Sequence, residues 1–142
     1  MAEILHRIKI KSSPEKVYHG IVSEAGLSKW WTQNVKTISQ EGSIAEFGFG
    51  DLITKMQINR LTDNHRVEWT CIAGPDEWIA THLFFDLDPE GNDTVLRFGQ
   101  TGWKTTSDFY CHCNCKWSYF LHSLKSFIED GHGTPFPDDT KI

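Results

Sequence analysis

No stretch of the sequence is apolar for long enough to cross a bilayer. Met1 to Lys11 alternates and carries charge where a secretory leader would be an apolar block, so a cytoplasmic location is expected. Runs of like charge are missing too. With a net charge of −5, neither nucleic acid nor an anionic membrane is an expected partner. Gly-x-Ser-x-Gly, a phosphate loop and His-Glu-x-x-His are all absent, and no set of side chains reads as catalytic. Asp86, Asp88, Glu90 and Asp93 fall near turns and read as a solvated rim. There is no internal repeat, low-complexity block or linker, so residues 1–142 are expected to form one domain.

Cys-x-x-Cys pairs are also lacking. Three of the four cysteines crowd into Cys111, Cys113 and Cys115, whose side chains diverge on a helix, so a reducing compartment is expected rather than a disulfide framework. Thiolates with His112 would suit zinc, but a structural site needs four ligands. His122 lies seven residues beyond Cys115, about 10 Å along a helix axis. Neither a metal nor a cofactor is expected. Cys113 falls on the apolar stripe described next and reads as a small buried thiol. Cys111 and Cys115 share the polar face, where an oxidation-sensitive pair is the alternative.

What the chain does have is aromatic bulk, with six Trp and nine Phe. Much of it lies in one stretch, Thr106 to Asp130. There Phe109, Tyr110, Cys113, Trp117, Phe120, Leu121, Leu124, Phe127 and Ile128 recur at three- and four-residue steps. Thr105, Thr106 and Ser107 offer N-cap oxygens, Asp108 charges the first turn, and Gly131 with Pro135 and Pro137 stops the helix. A helix of roughly 36 Å with one aromatic stripe needs a broad apolar surface to lie on.

The preceding chain reads as that surface. Ile4, Ile8 and Ile10 alternate with Leu5, Arg7 and Lys9 in a first strand with one face buried. Ser13-Pro14-Glu15 opens a short helix through Val17, Tyr18 and Ile21, and a second begins at Ser23 and runs into Trp30-Trp31. From Val35 the period is two: Phe47 and Phe49; Met56 and Ile58; Val67, Trp69 and Cys71; Thr81, Leu83, Phe85 and Leu87; Leu96, Phe98 and Gln100. Short polar turns join these runs, which implies an antiparallel meander. The fold class is therefore α+β, a curved antiparallel sheet around a long C-terminal helix with two short helices after the first strand. His132 to Ile142 reads as an extended, partly mobile end.

Several fragments, in this order and spacing, carry a family resemblance. They are Ser13-Pro14-Glu15-Lys16-Val17-Tyr18, Gly26-Leu27-Ser28-Lys29-Trp30-Trp31, Arg66-Val67-Glu68-Trp69 and Thr94-Val95-Leu96-Arg97-Phe98. Gly102-Trp103, Trp117 and Leu124 through Phe136 complete the set. The chain resembles the START-like (SRPBCC, birch-pollen-allergen-like) superfamily with its helix-grip fold. Within that superfamily it is similar to homologues of the C-terminal domain of the activator of the heat-shock chaperone ATPase. The resemblance implies a cavity between helix and sheet, where relatives bind lipids, hormones or polyketides. Some relatives are cyclases or dehydratases, and some stimulate the chaperone in the stress response. The family pattern usually has a histidine where this chain has Gln100. In the known activators a second, N-terminal domain is attached, for which 142 residues leave no room; this favours ligand binding over the chaperone role.

The expected ligand wall comprises Met56, Trp69, Leu83, Phe85, Phe98, Gln100, Trp103, Trp117 and Phe120. Gln100, Tyr18 or Tyr110 would orient the guest by a hydrogen bond, and no buried charge is expected there. Trp30-Trp31 either plugs the core or forms a lid. The expected function is non-catalytic binding of a small apolar molecule by a monomer or weak homodimer. The alternatives are a heat-shock-chaperone partner domain and a cyclase-like or dehydratase-like enzyme.

Overall fold

Ser107 caps the long helix, its hydroxyl accepting from the Tyr110 amide at 3.1 Å. At the other end Gly131 takes φ 83°, a left-handed conformation that favours glycine, and its N–H closes the last turn on Phe127. Between them runs α3, Asp108–Asp130. The structure, a computed structural model, describes residues 2–142.

The chain begins with β1 (Ala2–Ile10), then α1 (Pro14–Val22) and α2 (Glu24–Trp30). Ser23 serves both short helices. Its hydroxyl donates to the His19 carbonyl at the end of α1 and accepts from the Gly26 amide at the start of α2. Six strands follow: β2 (Asn34–Lys36), β3 (Ile44–Phe49), β4 (Leu52–Thr62), β5 (Arg66–Ala73), β6 (His82–Glu90) and β7 (Asp93–Trp103). A single 3-10 turn, Asp76–Trp78, interrupts the connection from β5 to β6.

The strands make one antiparallel sheet in the order β1-β7-β6-β5-β4-β3-β2. This is the antiparallel meander under a long helix that the periodicity predicts, and the helix-grip arrangement that the resemblance implies. Its inner face carries Ile4, Phe47, Met56, Trp69, Phe85 and Phe98, all buried against the helices. On the outer face, Arg97 pairs with Asp88 at 2.9 Å and Arg66 reaches Glu68 and Asp86. The Arg97–Asp88 pair is half exposed and contributes little to stability, whereas the Arg66 pairs are partly buried.

The β1 edge would be open to pairing with another chain, but α3 covers it. Tyr110 Oη donates to the Glu3 carbonyl at 2.6 Å, and Lys125 Nζ to the Lys9 carbonyl at 2.6 Å. The Lys11 amide donates to Glu129 at 2.7 Å. Helix side chains thus satisfy edge groups that would otherwise template a further strand.

The tail differs from expectation. It folds back over the molecule instead of trailing from it. Phe136 forms a parallel bridge with Thr32; its amide donates to the Trp31 carbonyl at 2.8 Å, and its carbonyl accepts from Gln33 at 3.1 Å. Its ring meets the edge of Phe49 at 5.5 Å. An aromatic side chain between two prolines carries enough apolar area to dock a strap that has no periodicity of its own.

Candidate functional site

Between the middle of α3 and the sheet, aromatic rings fill the space. Trp117, 2% exposed, lies 4.3 Å from Phe98, centroid to centroid. Phe98 meets Phe85 at 5.1 Å, and Phe85 meets Trp69 at 5.2 Å. Trp69 stacks with Trp31 at 6.0 Å, and Trp31 returns to Trp117 at 5.2 Å. These are offset and edge-to-face contacts of the kind that aromatic quadrupoles favour. Trp30 stacks behind Trp31 and donates its indole N–H to the Gly20 carbonyl at 2.8 Å. Both tryptophans of the Trp30-Trp31 pair are core residues, and neither is a hinged lid.

A cavity of about 250 Å³ opens where this packing stops, beside the N-terminal half of α3. One face of the helix contributes Phe109, His112, Cys113, Lys116, Trp117 and Phe120. Trp31 forms part of the wall where α2 ends, and Phe49, Leu52 and Thr54 come from the β3–β4 hairpin. Pro75 and Trp78 close it from the β5–β6 connection, and Phe136 and Asp139 from the tail.

Of the residues expected to line a ligand site, Trp117 and Phe120 stand in the wall of this cavity. Met56, Trp69, Leu83, Phe85, Phe98, Gln100 and Trp103 are buried but lie outside the cavity wall. They sit deeper, where the rings touch one another, or, for Trp103, against Phe109 and Tyr110 near the start of α3. Leu52, Trp78, Phe109, Phe136 and Asp139 are lining residues that strand and helix periodicity did not single out as such. Trp78 and Phe136 did carry a signal: each is a large aromatic in a proline-flanked, non-repetitive segment, and such a residue must find apolar cover.

Gln100 is not free to orient a guest. Its carbonyl oxygen accepts from the Trp117 indole at 2.8 Å, and its amide donates to the Thr81 hydroxyl at 3.1 Å. Thr81 in turn donates to the Trp78 carbonyl at 2.6 Å. The Trp78 indole N–H then donates to Cys113 Sγ at 3.4 Å, and its ring stacks on Trp117 at 6.1 Å. This closed relay fixes two cavity walls, Trp117 and Trp78, against each other. The Tyr110 hydroxyl is occupied at Glu3, and Tyr18 is not part of the wall.

The polar groups at the cavity are of a different kind from those expected. Asp139 is a buried carboxylate in the wall, where no buried charge was expected. Lys116 reaches it from α3 and also donates to the Thr140 carbonyl. Lys141 bonds the other carboxylate oxygen at 2.8 Å. Burial alone would raise the Asp139 pKa, but the hydrogen bonds and charges of Lys116 and Lys141 outweigh it and hold the carboxyl below its ordinary value.

A depressed aspartate stabilises the fold above its unfolded pKa, and that contribution is lost as pH falls through the folded value. The tail should therefore stay docked at neutral pH and loosen below about pH 4. NMR signals of residues 136–141 are expected to move toward random-coil positions over that range, ahead of those from the core of α3. Tail signals that hold their native positions in acid until the whole domain unfolds would show that the ion pair does not fasten the strap.

The thiols divide by exposure. Cys111 and Cys115 face solvent, whereas Cys71 and Cys113 are buried. Burial pushes the Cys113 thiol up to about 11, against a small opposing effect of the Trp78 N–H, and burial likewise takes Cys71 to about 11. An aromatic disulfide reagent at pH near 8 should titrate Cys111 and Cys115 rapidly and the other two only slowly. Fast labelling of Cys113 would contradict the assigned helix face. Among the described residues, no three His, Cys, Asp or Glu side chains gather as metal ligands would. Nor, among the described residues, is any helix long and apolar enough to cross a membrane.

Comparison with known proteins places this geometry in a family. Residues 11–129 match the family described as Activator of Hsp90 ATPase homolog 1-like protein. The Aha1 dimer from Colwellia psychrerythraea, solved in solution, is 40% identical, with a TM-score of 0.86 over 94% of this chain and 100% of that one. Protein SSP2350 from Staphylococcus saprophyticus shares the fold at 18% identity, with a TM-score of 0.79 over 93% of this chain and 95% of that one. CalU16 from Micromonospora echinospora shares it at 19% identity, with a TM-score of 0.72 over 89% and 74%. No functionally curated protein matches the chain. On the extent of the family match and the identity to the Colwellia protein, this chain belongs to the Activator of Hsp90 ATPase homolog 1-like family.

Proposed function

We propose that this protein binds a small, ring-bearing apolar molecule, without transforming it, in the cavity beside the N-terminal half of α3. The observation that carries this reading is the cavity of about 250 Å³, with Trp31, Trp78, Trp117, Phe49, Phe109, Phe120 and Phe136 in its wall. Ligand sites are typically apolar concavities of a few hundred cubic ångströms with few polar groups. Rigid indoles, held by the Gln100 and Cys113 hydrogen bonds, offer flat stacking faces at little entropic cost. The thiol in the wall, Cys113, accepts the Trp78 N–H and is pushed up to about 11 by burial, which makes it a poor nucleophile and supports binding over catalysis. A thermal-shift screen of flavonoids, sterols, fatty acids and polyketides tests the reading. A true ligand at a hundred times its dissociation constant stabilises the fold by roughly 2.7 kcal/mol. A screen in which no compound moves the transition argues against it.

A second reading is favoured by the family and by the Colwellia structure, which is that of a dimer. In it the domain docks on the heat-shock chaperone and stimulates its ATPase, as a monomer or weak homodimer. Chaperone ATPase assays with and without this protein separate the two readings. Sedimentation at rising concentration measures self-association.

A further inference from the structure

Among the described residues, and besides the imidazole of His112, the cavity wall holds one lysine and one carboxylate, Lys116 and Asp139. They are joined to each other, and they belong to very different parts of the chain. Lys116 is fixed on α3, one turn before Phe120, whose ring lies 5.3 Å from its ammonium. Its oxygen partners are the Asp139 carboxylate and the Thr140 carbonyl, both in the terminal strap. The strap upstream of them is held by Phe136 on the backbone of residues 31–33 and by Gln33 on Asp138. Beyond Asp138, the contact that ties the strap to α3 runs through Lys116.

We propose that Lys116 recognises an acidic group on the cavity's ligand, that the ligand is a compact aromatic carboxylic acid, and that its carboxylate takes the place held by Asp139. This rests on the ligand-binding reading above. Three features support it. The exchange replaces one carboxylate by another, so Lys116 is never left buried and unpaired, which would be costly. The aromatic body then lies against Trp31, Trp78 and Trp117, beside the ammonium. Withdrawal of Asp139 removes one wall residue and widens a cavity that, at about 250 Å³, is small for a multi-ring guest. A neutral guest gains nothing from Lys116, and a cationic one is repelled by it. Ligand binding and strap docking therefore compete for one ammonium.

The test uses 2-naphthoate and its neutral counterpart 2-naphthylmethanol, titrated by tryptophan fluorescence into the full chain and two variants. In the parent protein the acid gives up the Lys116–Asp139 pair to make its own, so acid and alcohol should bind within about a few-fold of each other. Asp139→Asn should tighten the acid by a factor of about ten and leave the alcohol within about twofold, since only the acid competes with that carboxylate. Lys116→Met should weaken the acid below the alcohol, because its carboxylate would then enter the wall beside Asp139 without a cation. Naphthoate, and not the alcohol, should speed removal of the last residues by a carboxypeptidase. Thermal melts of both variants check that they fold. No effect of Asp139→Asn on the acid, or an acid that binds Lys116→Met as well as it binds the parent protein, overturns the proposal while leaving the cavity reading in place. If neither probe binds any folded variant, the cavity reading falls and this proposal with it.

Discussion

Trp117→Ala is expected to cost about 3–5 kcal/mol of stability, the range of large aromatic-to-alanine changes in a packed core. Trp117 is 2% exposed and stands at the junction of four rings: Phe98, Trp31, Trp78 and Phe120. Truncation removes those contacts and leaves a hole that the sheet cannot close, because Phe98 and Phe85 are already packed on the far side. It also strands the Gln100 carbonyl oxygen, which has the Trp117 indole as its donor. Urea unfolding of the two proteins measures the difference. Trp117→Phe should fall between them, since it keeps most of the ring area and loses the hydrogen bond. A loss well under about 1 kcal/mol for the alanine variant would mean that the helix face is wrongly assigned.

Gln100→Leu comes next, with an expected loss of about 1–3 kcal/mol from leaving a buried donor without its acceptor. Leucine is close to glutamine in volume, so packing barely changes and the effect is polar. The Trp117 N–H loses its partner, and the Thr81 hydroxyl keeps only its bond to the Trp78 carbonyl. A histidine at this position, which the family pattern usually carries, can still offer a ring nitrogen to Trp117. Gln100→His is therefore expected to cost less than Gln100→Leu. Denaturant unfolding gives the energies, and the Trp117 indole proton signal reports whether the hydrogen bond survives. Equal stability of the leucine variant and the parent would show that the relay carries no net weight.

Much of the architecture could be read from local pattern because the physics that sets it is local. The stripe through Phe109, Cys113, Trp117 and Phe120, Ser107 ahead of Asp108 and Gly131 behind Asp130 fix a long helix by periodicity and capping alone. Alternation in Val67, Trp69 and Cys71, and in Leu83, Phe85 and Leu87, fixes strand faces in the same way. Trp117 and Phe120 could be assigned to a wall because their helix phase aims them inward. The location of the cavity was not legible. Inward-pointing residues in mid-strand have partners across the whole sheet, and here they meet as solid packing. The aromatic-walled cavity opens beside the N-terminal half of the helix, where walls come from Trp78, Leu52, Phe136 and Asp139, in or beside turns, loops and the tail. Those segments have no period, so their positions depend on contacts far apart in sequence. Asp139 illustrates this: its burial depends on Lys116, 23 positions earlier. Gln100 is a related case, since its face was correctly read but its hydrogen bonds are spent on Thr81 and Trp117.

The central claim is that a small aromatic molecule occupies the space beside the N-terminal half of α3. The six tryptophans divide cleanly for this purpose. Trp31, Trp78 and Trp117 line the cavity, whereas Trp30, Trp69 and Trp103 do not. Two-dimensional NMR of the ¹⁵N-labelled protein resolves their indole N–H signals, and a set of one- and two-ring aromatic compounds can be titrated in. The account predicts saturable shifts of the Trp31, Trp78 and Trp117 signals, together with the Cys113 amide, while the Trp30, Trp69 and Trp103 signals hold nearly still. Shifts absent from all six, or centred on the outer face of the sheet around Arg66 and Arg97, would contradict it.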